Sequence, residues 1–535
     1  MAPPLSGREG HATLVSSIAN LCNTIVGAGI LGLPFAFMSC GMSLGLTLIF
    51  GCAGACCLSL HLLSTSAKTA GVWPSSFYTV AIAAIPTWTF LIDLAVAVKC
   101  FGVATSYLIV SGDMMPNVMA FIGAPHAWQD RDLWVSISVA VAGPLACFAK
   151  LDALRHTSLL SILCVVYLAG LALAVAIAPD ALACERDQPR DECRGPVEGG
   201  PSPETLRILS IFIFGFTCQQ NIFAVVNELA RPSARRVGLV IAASVGISLA
   251  LYLVVAVGGF LVYGNRVHKD VLINFPEDSA AFTLARVGIS LVVIFSYPLQ
   301  AHPSRRCALT LLRATELLVM GRTPGALELH REMSGPILKS QGVVPDNAWE
   351  PHEAAPREIG PVRLPTDPQF VPAPAEEGEL SLHEISISAA APPLPTMRGD
   401  TSDAPAAAVE AVISGDHGGQ GPTRAAAGAP APAAVPAADL TGLRDALADY
   451  TPRYWIYTAG FVACSWAIAL AVDDLGKVMA VVGATGSTAV SYILPGAIYC
   501  KLHPSPHLLR SAAMVMLGVG VVIVPLALYA IFFGG

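Results

Sequence analysis

Residues 23–37 read NTIVGAGILGLPFAF and residues 214–229 read FGFTCQQNIFAVVNEL. Each places glycine beside amide and hydroxyl side chains in the middle of an apolar run. Gly27, Gly29, Gly32 and Pro34 are the residues that weaken a helix most. A helix interrupted there exposes amide N–H groups at the start of its second half, where they and the helix dipole suit a carboxylate. The carbonyls freed on the other half suit an ammonium group or a cation, and an amino acid carries both charges on adjacent atoms. The candidate contacts are Asn23, Thr24 and the backbone of Val26, Gly27, Ala28, Gly29 and Ile30. An opposing wall would come from Phe214, Gly215, Phe216, Thr217 and Cys218. The competing reading of the first stretch is a small-residue packing face. A matching polar break in the second stretch weighs against it.

The surrounding elements must be membrane helices. The chain has 535 residues, 54% hydrophobic and 13% charged, where a soluble protein carries roughly 25% charge. With about 20 residues per span, eleven spans are expected, near 14–38, 41–66, 89–115, 132–150, 156–178, 206–228, 238–263, 281–302, 453–471, 475–500 and 508–533. This is an all-α, multi-pass membrane protein. Backbone groups left unsatisfied at membrane depth are tolerated only where they line a cavity or are buried in protein, which gives the two breaks their interest. Lys68, Arg235, Arg236, Arg305 and Arg306 fall in loops on one side and fewer basic residues on the other, so the N-terminus is expected to be cytosolic. Residues 1–13 form a short cytosolic tail.

Most of the fourteen cysteines fall in apolar runs, where Cys acts as a small hydrophobe. Cys184 and Cys193 lie instead in the polar loop CERDQPRDEC and are expected to form a disulfide on the non-cytosolic face; two free thiols are the alternative. Residues 303–452 are Pro/Ala-rich without apolar periodicity and read as a disordered cytosolic insertion, opening with a short helix near 308–320. The insertion is either a tolerated linker or a platform for regulatory partners. Without it, spans one to five and six to ten have comparable lengths and opposite orientation, the inverted 5+5 repeat of secondary transporters plus one helix. That symmetry predicts an interruption in the first span of each half, spans one and six.

NTIVGAGILGLPFAF, FGFTCQQNIFAVVNEL and AVAVKCFGVATSYLIVSGDMMP together resemble the amino acid/auxin permease family. Within it the chain is similar to vacuolar-type transporters and sodium-coupled neutral amino acid transporters. The resemblance covers all spans and excludes the long insertion. It implies a LeuT-like core, alternating access and secondary-active movement of amino acids. Relatives often carry a histidine after the cysteine of span six, where this chain has Gln219; a carboxamide cannot titrate near neutral pH as an imidazole does.

Further polar positions are candidates for coupling or gating. Lys99 lies deep in span three, where an unpaired charge costs roughly 2.5 kcal/mol or more, and Asp93 or Glu228 are its expected partners. It reads equally as a coupling residue and as half of a structural ion pair. Asn221 sits in the span-six break, and Glu228 with Asn227 caps its inner end as a cytosolic gate. Asp473 and Asp474 fall in an outer turn and are expected to be solvated. Ions in LeuT-like folds bind between spans one and eight, so a sodium site would use Asn23, Ser290 and Ser296, since a hard cation prefers oxygen ligands. Coupling by H+ or Na+ stays open.

No nucleophile elbow, P-loop or metalloprotease motif is present, so no enzyme activity and no cofactor are expected. No basic run points to nucleic acid. The expected function is proton-coupled amino acid transport in a vacuolar or other acidic endomembrane, with lipid and an amino acid as partners. The alternatives are a sodium-coupled neutral amino acid importer of the plasma membrane and a transporter-like sensor signalling through the insertion.

Overall fold

The computed structural model describes residues 12–71, 75–85, 88–147, 157–184, 189–198, 200, 205–319 and 452–533. They are helical apart from turns and one isolated bridge, Ala12 to Leu229. In chain order the helices are α1 (Leu14–Ile25), α2 (Gly29–Cys40), α3 (Met42–Ala70), α4 (Phe77–Ala84), α5 (Thr89–Phe121), α6 (Arg131–Ala146), α7 (Thr157–Ile177), the short α8 (Pro179–Leu182) and α9 (Arg190–Cys193), and α10 (Thr205–Gly215). There follow α11 (Ile222–Glu228), α12 (Ala234–Tyr263), the short α13 (Val271–Asn274) and α14 (Ala280–Val319). The last three are α15 (Pro452–Ala471), α16 (Leu475–Leu502) and α17 (Leu508–Phe533).

Among the described residues nine helical stretches are long and apolar enough to span a membrane, and ten if α1 and α2, bent by 54° at their junction, are one span. The fourth expected span, 132–150, is the exception. Its described part, α6, has 16 residues, about 24 Å of helix against a hydrocarbon core of about 30 Å. α14 runs past Pro298 and Pro303 to Val319, so the helix expected as a separate piece from 308 begins as the continuation of the eighth span. The rest of the proposed insertion, from 320 to 451, lies outside the described residues.

Helix starts follow the side chains that satisfy their first amides. Thr13 caps α1, Ser76 closes a capping box on α4, and Asp130, Ser233 and Asp474 cap α6, α12 and α16. Within α16 two π-helical stretches, Gly483–Ser487 and Ala489–Ile493, widen the turn. The Thr488 hydroxyl donates to the Gly483 carbonyl at 2.6 Å inside this region. Glycines let it approach its neighbours: a Cβ at Gly483 would lie 1.9 Å from the Ser210 carbonyl oxygen, and one at Gly486 2.7 Å from the Lys99 amide.

Burial separates inner from outer helices. In α5 and in the α10–α11 pair 78% of the most apolar window is buried, against 17% in α17. α17 exposes Val515, Val519, Val522, Tyr529 and Phe533, the outward apolar surface that lipid requires. Cys184 and Cys193 are joined by a disulfide. Their loop docks on the end of α12, where the Tyr263 hydroxyl donates to the Ala183 carbonyl and the Gly195 amide to the Tyr263 carbonyl.

Candidate functional site

Both expected interruptions are present. α1 ends where Val26 turns out of the helix, with ψ 90°, and α2 restarts at Gly29. α10 ends at Gly215, and after Phe216–Cys218 a single 3-10 turn, Gln219–Asn221, leads into α11. The breaks face each other closely. A Cβ on Gly29 would stand 2.9 Å from the Gly215 Cα and 3.4 Å from a Phe214 ring carbon. Asn221 donates to the Thr24 hydroxyl at 2.8 Å, and Thr24 donates to the Asn20 carbonyl at 3.0 Å.

Beside the first break lies a narrow cleft with about 30 Å³ of free interior volume, room for about two water molecules in this conformation. Asn23, Val26, Gly27, Ala28 and Ile30 line it from the break, Tyr107 from α5, Val165 from α7 and Ser296 from α14. Val292, Val293 and Ile289 complete an apolar wall. Among the described residues no charged side chain lines it. The Ala28 and Gly29 amides find no backbone acceptor among those residues, while Ile30 and Leu31 donate to Gly27 and Ala28. The start of α2 therefore carries two donors where its dipole is positive, which suits a carboxylate; of the expected contacts Ala28 lines the cleft, while Thr24 and Gly29 lie just outside it.

The expected opposing wall is arranged differently. Phe214, Gly215, Phe216, Thr217 and Cys218 are buried at the second break, but none of them lines this cleft. Thr217 turns its hydroxyl back to the Ile213 carbonyl at 2.7 Å. Gln219 is fully buried: its Oε1 accepts from the Cys218 amide at 2.9 Å and from Ser491 at 2.8 Å, and its Nε2 points at the Cys56 sulfur, 3.7 Å away. Ser491 belongs to the second π-helical stretch of α16, an element that the sequence gives no reason to place at this break.

The coupling and gating candidates are dispersed. Lys99 is buried against α16, but among the described residues it makes no ion pair with Asp93 or Glu228. Asp93 pairs instead with Cys307 on α14. Ser296 shares the cleft with Asn23, whereas Ser290 is buried outside it, its hydroxyl without a partner among the described residues. At the inner end of span six, the Glu228 carbonyl accepts from the Ala12 amide at 2.8 Å, and the Glu228 side chain forms no ion pair among the described residues. Asn227 holds both backbone groups of Ser75, accepting at 3.0 Å and donating at 2.8 Å.

At the opposite end, Arg131 pairs with Asp113 at 2.8 Å and with Asp473 at 3.2 Å, and donates to the Ala469 and Val472 carbonyls. Asp474 is not solvated as expected. It is largely buried, pairs with Lys269 and caps α16. Next to Lys269, Asp270 is fully buried. Its Oδ1 caps α13 through the Leu272 amide at 2.9 Å, and its Oδ2 has no hydrogen-bond partner among the described residues. Burial pushes this carboxyl up to about 7, with the Leu272 amide and the Arg286 guanidinium opposing the rise and Asp113 adding to it.

Sequence reasoning missed the residue that joins the two breaks. Tyr252, buried in α12, places its hydroxyl 2.7 Å from the Ile25 carbonyl oxygen and 2.8 Å from that of Gly215. In the sequence it is one tyrosine in the apolar run ALYLVVAV, with no local signal of its role.

These elements define a multi-pass helical membrane protein whose two interrupted spans meet beside an uncharged cleft. The chain belongs to the transmembrane amino acid transporter protein family, whose sequence profile matches residues 10–350 and 451–533. It is 36% identical over 316 residues to vacuolar amino acid transporter 5 of Schizosaccharomyces pombe, covering 58% of this chain and 72% of that protein. Vacuolar amino acid transporter 6 of Saccharomyces cerevisiae aligns over 509 residues at 27% identity, covering 93% and 91%. Sodium-coupled neutral amino acid transporter 7 of Bos taurus aligns over 313 residues at 26%, covering 56% and 65%. The family and these relatives are transporters, not enzymes. Among solved structures, MhsT in complex with L-phenylalanine aligns remotely, with a TM-score of 0.41 and 12% identity over 63% of this chain and 80% of that one.

Proposed function

We propose that the chain is a secondary-active amino acid transporter that works by alternating access, is driven by protons and sits in a vacuolar or other acidic endomembrane. The observation that carries this reading is the pair of available amides, Ala28 and Gly29, opening α2 beside a cleft. A substrate carboxylate would be held there, and the amino group would face the polar atoms of Asn23, Tyr107 and Ser296. The side chain would lie on Val165, Ile289, Val292 and Val293. With no charged residue in the lining, a charged substrate side chain would be desolvated without a partner, so neutral amino acids are favoured. The second break, Phe214 to Cys218 with Gln219 and Asn221, would form the moving surface against which span one closes. The names of the yeast relatives support the vacuolar setting. The distribution of Lys and Arg supports a cytosolic N-terminus, which would put the Cys184–Cys193 disulfide in the lumen, and residues 303–452 would be a cytosolic segment open to regulatory partners.

Sodium coupling is the second reading, favoured by one feature: Asn23 and Ser296 bring side-chain oxygens from spans one and eight to the same cleft. Uptake of a panel of labelled amino acids into proteoliposomes, under a proton gradient or a sodium gradient, tests both. Accumulation that follows the proton gradient is expected. Accumulation only with sodium would replace the proton reading, and ligand binding without flux would make the chain a sensor.

A further inference from the structure

We infer that Tyr252 is a positioning residue for the cleft, its one hydroxyl proton tying together the severed ends of both interrupted spans. In an unbroken helix the Ile25 carbonyl would accept from the Gly29 amide and the Gly215 carbonyl from the Gln219 amide. The breaks remove both partners. Among the described residues the Ile25 carbonyl receives the Gly27 amide at 3.0 Å and the Tyr252 hydroxyl, and the Gly215 carbonyl receives Tyr252. A phenol has a single proton to donate, so the two carbonyls share it and are pinned to one oxygen.

The tyrosine itself is held firmly. It is fully buried, its ring meets Phe216 edge to face with centroids 5.2 Å apart, and a Cβ on Gly215 would lie 3.5 Å from it. The fixed point therefore belongs to α12, outside both broken spans. Ala28 and Gly29 follow Ile25 within one turn, so the direction of their amides depends on where Tyr252 holds that carbonyl. The inference rests on the cleft being the substrate site. It adds that the geometry of the site is set from α12, and that both breaks are set by the same group.

The test compares full-length wild type, Tyr252→Phe and Tyr263→Phe in proteoliposomes. Tyr263 lies on the same helix, is equally buried and also donates to a carbonyl, that of Ala183 at 3.1 Å, away from both breaks. Uptake of tritiated L-leucine gives KM and Vmax, and amide hydrogen exchange reads residues 26–30 and 216–221. Y252F is expected to raise KM about tenfold, equivalent to about 1.4 kcal/mol of binding, and to speed exchange at both breaks. Y263F is expected to leave both within twofold. Tyr252→His, which returns a ring donor, is expected to recover part of the lost affinity; this variant also serves if Y252F does not accumulate. Y252F behaving like Y263F, with KM and exchange at both breaks within twofold of wild type, would overturn the inference, and so would Y252H doing so if Y252F does not accumulate. If wild type neither binds nor moves any amino acid of the panel, the transport reading fails, and exchange at the two breaks alone decides the role of Tyr252; if it moves another amino acid, that one replaces leucine in the assay.

Discussion

Replacing Gly29 by alanine adds a single methyl group at the point where the two interrupted spans touch. That methyl would stand 2.9 Å from the Gly215 Cα and 3.5 Å from the Gly215 amide nitrogen. Ordinary carbon–carbon contact lies at about 3.5–4.0 Å, so the backbones must separate by about 1 Å. The obstacle is main chain, which cannot swing aside as a side chain can. Overpacking of this kind costs about 1–3 kcal/mol, and alanine returns about 1 kcal/mol of helix propensity. The net loss of stability is then about 0–2 kcal/mol, and the protein still folds. Transport is hit harder, because a displacement of about 1 Å in a positioned site can cost on the order of a hundredfold in rate. The assay is initial uptake per folded molecule, alongside thermal unfolding of the purified protein. Gly54→Ala in α3 is the control, since nothing lies within 4 Å of the added methyl there; it should be neutral or slightly stabilising. Wild-type uptake by Gly29→Ala would show that the two backbones need not touch, and the cleft would have to be understood without span six.

The buried carboxyl of Asp270 gives stability a pH dependence of known sign. Its pKa is about 7 in the fold against 3.8 for an ordinary aspartate, so between those values the folded protein holds a proton that the unfolded chain has released. Stability is full below about pH 4, declines as pH rises and is lower by up to roughly 4 kcal/mol above pH 7. Asp270→Asn keeps the cap on α13 and should flatten the unfolding temperature between pH 5 and 8; parallel curves for the two proteins would count against the buried charge. Replacing Cys184 and Cys193 by serine opens a loop whose closure contributes about 2–3 kcal/mol. Its unfolding temperature should fall below that of oxidised wild type, and the difference should vanish when wild type is reduced.

The two breaks were legible because glycine and amide side chains stand out against an apolar background. The disulfide was legible for a related reason: two cysteines in a polar loop contrast with the others in apolar runs. Tyr252 and Ser491 offered no such contrast. A tyrosine or a serine in a membrane helix is ordinary until the partner is seen, and their partners lie 227 and 272 residues away in sequence. Ser296 on α14 was singled out as a partner of Asn23, but Tyr107 on α5 and Val165 on α7 were missed as lining of the cleft, since their part depends on helix rotation. Asp474 was read as solvated because charged residues in short turns usually are, and only tertiary contact with Lys269 makes it otherwise.

The π-helical stretches of α16 make its length a constraint independent of its composition. Each accommodates one residue more than an α-helix would over the same rise, and one residue corresponds to about 100° of rotation. Residues beyond Ile493 therefore present a different side of the helix from the one that counting forward from Leu475 would assign. Losing a single small residue between Gly483 and Ile493 would leave the segment as apolar as before and nearly as long. It would nonetheless swing Ser491 away from Gln219 and re-phase one half of the helix against the other. In this part of the chain the fold is as intolerant of insertions and deletions as it is of side chains at Gly483 and Gly486.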